Sequence, residues 1–234
     1  MFTGLVETTG VLRRRAGRPV ARASIETTLS PLELGESISV NGVCLTVDRI
    51  VAGGFECDIS GETLERTTLG ELPLGAGVHL ERSTPLGGRM GGHIVLGHVD
   101  AVGQVTAREP RGEAIRFEVT LPAALGRFVA SKGSIAIDGV SLTLNDVGPA
   151  VTAGSSGATV AVAVMLVPHT VGRTLLGEMR AGARVNIEVD VLARYVARQL
   201  DFSGAGGGAG DVHAHVHADD DQRLLDKLRS GGWT

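Results

Sequence analysis

Ser37-Ile38-Ser39-Val40-Asn41-Gly42-Val43-Cys44-Leu45-Thr46-Val47 returns further along the chain as Ser134-Ile135-Ala136-Ile137-Asp138-Gly139-Val140-Ser141-Leu142-Thr143-Leu144. Serine, isoleucine, glycine, valine, leucine and threonine recur at matching places, and the other exchanges are mild. Each copy has β-branched apolar runs on both sides of Asn-Gly or Asp-Gly, which is a strong hairpin signal. The echo extends outward in both directions. Gly4-Leu5-Val6-Glu7 returns as Gly97-His98-Val99-Asp100, and Thr63-Leu64-Glu65-Arg66-Thr67-Thr68-Leu69-Gly70 returns as Thr170-Val171-Gly172-Arg173-Thr174-Leu175-Leu176-Gly177. The matches keep their order, with an insertion near residues 148–158 taking up the drift in spacing. A chain written twice predicts two similar binding sites. That arrangement suits a reaction that consumes two copies of one molecule.

The remaining pattern is mostly β. Further strands are predicted at 10–15, 22–27, 54–59 and 78–82, with counterparts at 103–106, 115–120, 159–167 and 185–189. Six short strands per half, broken by turns, predict a small closed barrel in each. Thr63 and Thr170 are expected to cap short helices, since a threonine oxygen accepts from free first-turn N–H groups. A longer helix is expected from Asp190 to Phe202, with Leu192, Tyr195, Val196, Gln199 and Leu200 on one face and Arg194 and Arg198 outside. Residues 204–210 read as a glycine linker, and 219–229 as a second helix whose charge order suits the helix dipole.

Composition bounds the function. Hydrophobic residues make up 43% of the 234, enough for globular cores. The net charge of -4 lacks the basic face that nucleic acid requires. The 34 glycines indicate tight turns and close backbone approach to a ligand. Met1-Phe2-Thr3-Gly4 does not read as a targeting segment, and no apolar run is long enough to span a bilayer. Cys44 and Cys57 make no disulfide scaffold. A cytoplasmic protein with reduced thiols is expected. His213, His215 and His217 alternate in a manner that could ligate a metal, but no rigid geometry is indicated there and no role in the chemistry is expected.

Five separated motifs carry a family resemblance. They are Met1-Phe2-Thr3-Gly4-Leu5-Val6-Glu7; Asn41-Gly42-Val43-Cys44-Leu45-Thr46; Gly91-Gly92-His93 with Gly97-His98-Val99; Lys132-Gly133 followed by Ile137-Asp138-Gly139-Val140-Ser141-Leu142-Thr143; and Gly182-Ala183-Arg184-Val185-Asn186-Ile187-Glu188-Val189-Asp190. In this order they resemble riboflavin synthase of the alpha-chain type, from Met1 to about Gln199. The resemblance implies two tandem six-stranded antiparallel Greek-key β-barrels, residues 1–93 and 94–190, followed by a C-terminal helical segment, 191–234. It implies a transferase that turns two molecules of 6,7-dimethyl-8-ribityllumazine into riboflavin and 5-amino-6-(D-ribitylamino)uracil by passing a four-carbon unit. No cofactor and no metal are implied. The family forms homotrimers whose sites lie between barrels of neighbouring subunits, and association with lumazine synthase is a further expected partnership.

Site residues carry over position by position. The first barrel would offer Gly4, Leu5 and Val6, Cys44, Leu45 and Thr46, and Asp58, Ile59, Ser60, Gly61, Glu62 and Thr63. The second would offer Gly97, His98 and Val99, Lys132, Ser141, Leu142 and Thr143, and Met165, Leu166, Val167, Pro168, His169 and Thr170. Chemistry is assigned to His98, Ser141, Thr143 and Asp190, facing Cys44, Thr46 and Ser37. Hydroxyls suit this work because each donates and accepts, and a histidine titrates near neutrality. Structural alternatives stand beside these roles. Cys44 is a small core residue on the other reading, and Asp190 a helix cap. Cys57 reads as core, and His93 reads either way. Where the copies differ, Cys44 matches Ser141, Leu5 matches His98, Gly35 matches Lys132 and Ser83 matches Asp190, so the two sites are not equivalent. Two other functions fit less well: a non-catalytic lumazine- or flavin-binding antenna of the same family, and a β-barrel interaction module.

Overall fold

Both hairpin signals fold as tight two-residue turns. In this computed structural model, which describes residues 1–152 and 157–205, Asn41 and Gly42 take φ of 47° and 78°, and Asp138 and Gly139 take 45° and 77°. Positive φ at both central residues gives the turn whose twist matches the flanking strands.

The first half holds β1 (Thr8–Ala16), β2 (Ala21–Glu26), β3 (Ser37–Val40), β4 (Val43–Thr46), β5 (Arg49–Val51), β6 (Gly54–Ile59) and β7 (Gly77–Arg82). They form one antiparallel sheet in the order β4-β3-β7-β1-β2-β6-β5. The second half holds β8 (Ala101–Arg111), β9 (Ala114–Pro122), β10 (Ser134–Ile137), β11 (Val140–Thr152), β12 (Ala158–Leu166) and β13 (Arg184–Val189). These close a barrel in the order β10-β11-β12-β9-β8-β13. The circuit is the same in both. β11 pairs with β10 and with β12, while β4 pairs with β3 and β5 with β6. The first half therefore has seven strands where six were expected, because the counterpart of β11 is interrupted at Val47-Asp48. There Val47 N donates to Glu36 O and Asp48 N to Glu56 O, so the chain changes hydrogen-bonding partner within two residues. β10, β11 and β12 run as a meander that returns beside β9, a Greek key. The insertion expected at 148–158 lengthens the β11–β12 hairpin, whose register runs out to Thr152 opposite Ala158.

Alternation along the strands places the cores. Val43 and Leu45 on β4, and Val140, Leu142 and Leu144 on β11, point inward among buried neighbours such as Phe55 and Leu80 in one half and Phe117 and Leu121 in the other. Each such side chain contributes roughly 1.5–3 kcal/mol on burial. Cys57 is fully buried, and desolvation pushes its thiol up to about 12, as expected of a core cysteine.

The helices begin earlier than their threonines suggested. In α1 (Gly61–Arg66) the cap is Ser60, whose Oγ accepts from Thr63 N at 3.1 Å. In α2 (Pro168–Arg173) the helix starts at the proline, whose missing N–H and fixed φ suit that position, and Thr170 lies inside. α3 (Val191–Ala205) follows Asp190 as expected, although it runs past Phe202. Both halves belong to one unit, Met1–Tyr195, with a second unit beginning at Val196. Most of the expected glycine linker, the histidine run and the second helix lie outside the described residues.

Candidate functional site

The two glycine motifs change places. Gly4 O accepts from Ser141 N at 2.8 Å, and Gly97 O accepts from Cys44 N at 2.9 Å. These are equivalent bonds, but each joins a segment of one half to a strand of the other. A Cβ on Gly4 would lie 2.5 Å from the Ser141 Cβ, and one on Gly97 would lie 2.6 Å from the Cys44 Cβ. Both glycines also take positive φ, 75° and 78°. Only glycine fits such an approach. The expected grouping of Gly4, Leu5 and Val6 with Cys44, and of Gly97, His98 and Val99 with Ser141, is therefore corrected. Leu5 and Ser141 line one cavity, and Gly97, the residue before the exposed His98, lies against Cys44. An isolated bridge between Phe2 and Val95, packed on Ala136 and Cys44, ties the crossing segments together.

Two buried carboxylates anchor the crossing. Glu81 on β7 accepts from Thr3 N at 2.6 Å, Thr3 Oγ1 at 2.7 Å and Gly4 N at 2.9 Å. Glu188 on β13 accepts from Leu96 N at 2.6 Å, Gly97 N at 2.9 Å and His98 N at 3.0 Å. Burial raises the pKa of both carboxyls above the usual value, and the donors from the crossing segments offset this only in part. Neither carboxylate is among the site residues expected from the sequence. The signal was present: Val78-His79-Leu80-Glu81 matches Val185-Asn186-Ile187-Glu188, placing an acid at the same point of both strands.

The same strands carry a second reciprocal pair. His79 Nδ1 lies 2.9 Å from Asp138 O, and its Nε2 accepts from Leu175 N at 2.7 Å. Asn186 Nδ2 donates to Asn41 O at 2.8 Å, and its Oδ1 accepts from Thr68 N at 2.7 Å. Asn41 matches Asp138 and Thr68 matches Leu175, so two different side chains perform one task. Accepting at Nε2 requires the His79 proton on Nδ1 and a neutral ring. Desolvation brings its pKa down to about 4.

On β4 and β11 the proposed ligand side chains occupy the face opposite the core. Cys44 and Ser141 are half-buried there, and Thr46 and Thr143 are exposed. Ser37 sits across from Thr46, as Ser134 does from Thr143. Leu45, Leu142, Ile59 and Leu166 turn into the cores, so only their backbones remain available to a ligand. A cavity of about 310 Å³ is lined by Gly4, Leu5, Val6, Glu7, Val140, Ser141, His169, Thr170, Arg173 and Thr174. It gathers expected contacts from both halves and adds Arg173 and Thr174, which the sequence analysis did not single out. Such a volume is at the lower end for small-molecule sites, roughly 300–1,000 Å³.

Other expected residues have structural tasks. Asp58 is paired with Arg22 at 2.9 Å. Ser60 bonds Thr63 across the first turn of α1, and Glu62 pairs with Arg66 at 2.9 Å. Val167 is the residue before α2, and Met165 is half-buried on β12. Asp190 Oδ1 accepts from Leu192 N at 2.9 Å and so caps α3. Lys132 is exposed with φ of 68°.

Comparison with known proteins agrees with the duplication. Residues 3–83 and 96–190 each match the lumazine binding domain. Riboflavin synthase of Mycobacterium bovis is 45% identical, covering 87% of this chain and all of that one. Riboflavin synthase of Bacillus subtilis is 37% identical, covering 86% and 90%. Among solved structures, LumP complexed with 6,7-dimethyl-8-(1'-D-ribityl) lumazine aligns with a TM-score of 0.68 at 25% identity, covering 81% of this chain and 99% of that one. Duplicated fold and paired sites define a protein of two tandem lumazine-binding domains. The identity shared over most of its length narrows that class: the chain belongs to the riboflavin synthase family.

Proposed function

We propose that this chain takes two molecules of 6,7-dimethyl-8-ribityllumazine and passes a four-carbon unit from one to the other, releasing riboflavin and 5-amino-6-(D-ribitylamino)uracil. The observation that carries this reading is the reciprocal crossing. Ser141 N donating to Gly4 O and Cys44 N donating to Gly97 O are equivalent joints with different neighbouring side chains, which supports two sites of one design. Two identical rings must meet at complementary carbons, and sites related by a pseudo-two-fold arrangement suit that. Holding both rings in register can supply up to roughly 7–11 kcal/mol of the barrier through prepaid entropy and avoided solvent reorganisation. The lumazine 7-methyl protons are already acidic, because the carbanion delocalises into the ring. Modest acid–base help from Ser141, Thr143, His98, Cys44, Thr46 and Ser37 is then enough, with Asp190 acting from the cap of α3.

The same reading extends to assembly. Leu192, Tyr195, Val196, Leu200 and Phe202 are exposed apolar residues on α3, which supports a homotrimer whose productive site forms between subunits. Association with lumazine synthase rests on the family resemblance. No helix among the described residues is long and apolar enough to cross a membrane, and we place the chain in the cytoplasm, where the family works. The antenna reading has support in the LumP structures, which include complexes with riboflavin and with flavin mononucleotide. Retention of threonine in both copies, at Thr46 and Thr143, favours the enzyme. Turnover of Ser141→Ala, His98→Ala, Leu5→Ala and Cys44→Ser tests the roles. Losses are expected to be largest for Ser141→Ala and His98→Ala, which sit on opposite sides of the reaction. A loss confined to Cys44→Ser would instead point to a thiolate nucleophile.

A further inference from the structure

His93 belongs to the Gly91-Gly92-His93 motif, outside the groups given chemistry above. Its Nδ1 lies 2.7 Å from the Ser141 hydroxyl oxygen. Its backbone N donates to Thr3 O at 3.2 Å, within the segment that Glu81 anchors. Gly92 permits this approach: a Cβ there would lie 2.0 Å from Thr3 O and 2.9 Å from Ser141 Oγ. A closed ring results, from Glu81 to Thr3, from Thr3 to His93, from His93 to Ser141, and from Ser141 through Gly4 back to Glu81.

Its other ring nitrogen decides the polarity of the pair. Nε2 is buried and has no hydrogen-bond partner among the described residues. Burial lowers the ring's pKa, opposed by the charge of Asp190, so one nitrogen carries a proton and the other a lone pair. A proton on Nε2 would leave a buried donor unpaired, which native structures rarely tolerate. A proton on Nδ1 is used at once, donated to Ser141 Oγ. The serine oxygen then accepts from His93, and its own O–H is left free to turn toward the cavity that Ser141 lines with Gly4, Leu5 and Thr170.

We propose that His93 is a positioning residue that fixes Ser141 as a hydrogen-bond donor to the lumazine held in this cavity. The proposal rests on the riboflavin synthase reading for the identity of the ligand. Asparagine and glutamine test it, because the Asn amide reaches the place of Nδ1 while the Gln amide reaches that of Nε2. With 6,7-dimethyl-8-ribityllumazine as probe, Kd by fluorescence and kcat/KM by riboflavin formation are measured for His93→Asn, His93→Gln, His93→Leu, Ser141→Ala and the Ser141→Ala/His93→Leu double variant. His93→Leu and His93→Gln should lose about tenfold, the scale of one hydrogen bond, while His93→Asn keeps most of the function. In the Ser141→Ala background His93→Leu should add less than about twofold, because residues acting through one another are not additive. Full additivity, or asparagine no better than glutamine, overturns the proposal. The Asn–Gln comparison decides the matter if the leucine variants do not fold. If the unsubstituted chain binds lumazine without making riboflavin, the enzymatic reading fails, and the Kd series still judges the His93–Ser141 pair by the same pattern.

Discussion

Lys132 occupies a backbone position that its counterpart gives to glycine. Its φ is 68° and that of Gly35 is 82°. Lys132 N donates to Leu144 O just as Gly35 N donates to Val47 O. The left-handed region costs a side chain roughly 1–2 kcal/mol relative to the right-handed one. A strained residue kept in one copy alone points to a task there. Lys132→Gly is expected to raise stability by about 1 kcal/mol, read as a higher denaturant midpoint, while weakening lumazine binding. Unchanged affinity would remove Lys132 from the ligand contacts. Gly4 and Gly97 give the opposite case. Gly4→Ala should displace the crossing segment from Ser141 and lower turnover at least tenfold, with the barrels still folded by circular dichroism. At this scale the sequence showed which residues correspond, such as Cys44 with Ser141. It could not show that Gly4 belongs with Ser141, because a repeat alignment pairs equivalents and says nothing of which copy touches which. Glu81 and Glu188 were hidden for the same reason, since their partners, mainly backbone N–H groups, lie 77 to 92 residues away.

The elements β7 and β13 carry the joint between the halves, and they carry it with unlike chemistry. Asn186 does with an amide what His79 does with a neutral imidazole. The histidine adds a pH dependence. Its pKa falls from 6.5 to about 4 on folding, so between those values the unfolded chain binds more protons. Its contribution is complete above pH 6.5 and is lost as the pH falls toward 4, a change on the order of 3 kcal/mol. Asp138, held up to about 7 by burial, acts in the opposite direction over its own range from 3.8, so the difference between two proteins is the useful quantity. His79→Asn should fold and should show less stability loss than the parent between pH 6.5 and 4 in urea titrations. Parallel curves for the two proteins would mean that His79 does not stay neutral. Strand positions were legible because β-branched alternation and Asn-Gly turns are local signals. The break between β4 and β5 was not, since it follows from Val47 and Asp48 serving different neighbours. The helix starts were misplaced because Ser60 and Pro168 outcompete the later threonines.

At the scale of the whole molecule, the domain is duplicated and segments of each half cross to the other, so on the proposed reading each of the two sites depends on both halves. Neither half alone should then bind lumazine as the whole chain does. In the proposed homotrimer, the exposed apolar residues of α3 would meet neighbouring copies. Truncation after Leu192 is expected to give species smaller than the proposed trimer of 24.2 kDa chains by light scattering, with lumazine binding kept and turnover largely lost. A fully active monomer would refute a site between subunits. The fold class and the family were legible across the two repeats because the repeat is encoded in short ordered motifs. The measurement that bears most directly on the whole account is made with the unaltered chain and 6,7-dimethyl-8-ribityllumazine, following substrate, riboflavin and the pyrimidine product together. Two lumazines consumed for each riboflavin and each pyrimidine released, over many turnovers, is the predicted result. A stoichiometric change in fluorescence with no riboflavin formed would contradict it and leave a binding protein in place of an enzyme.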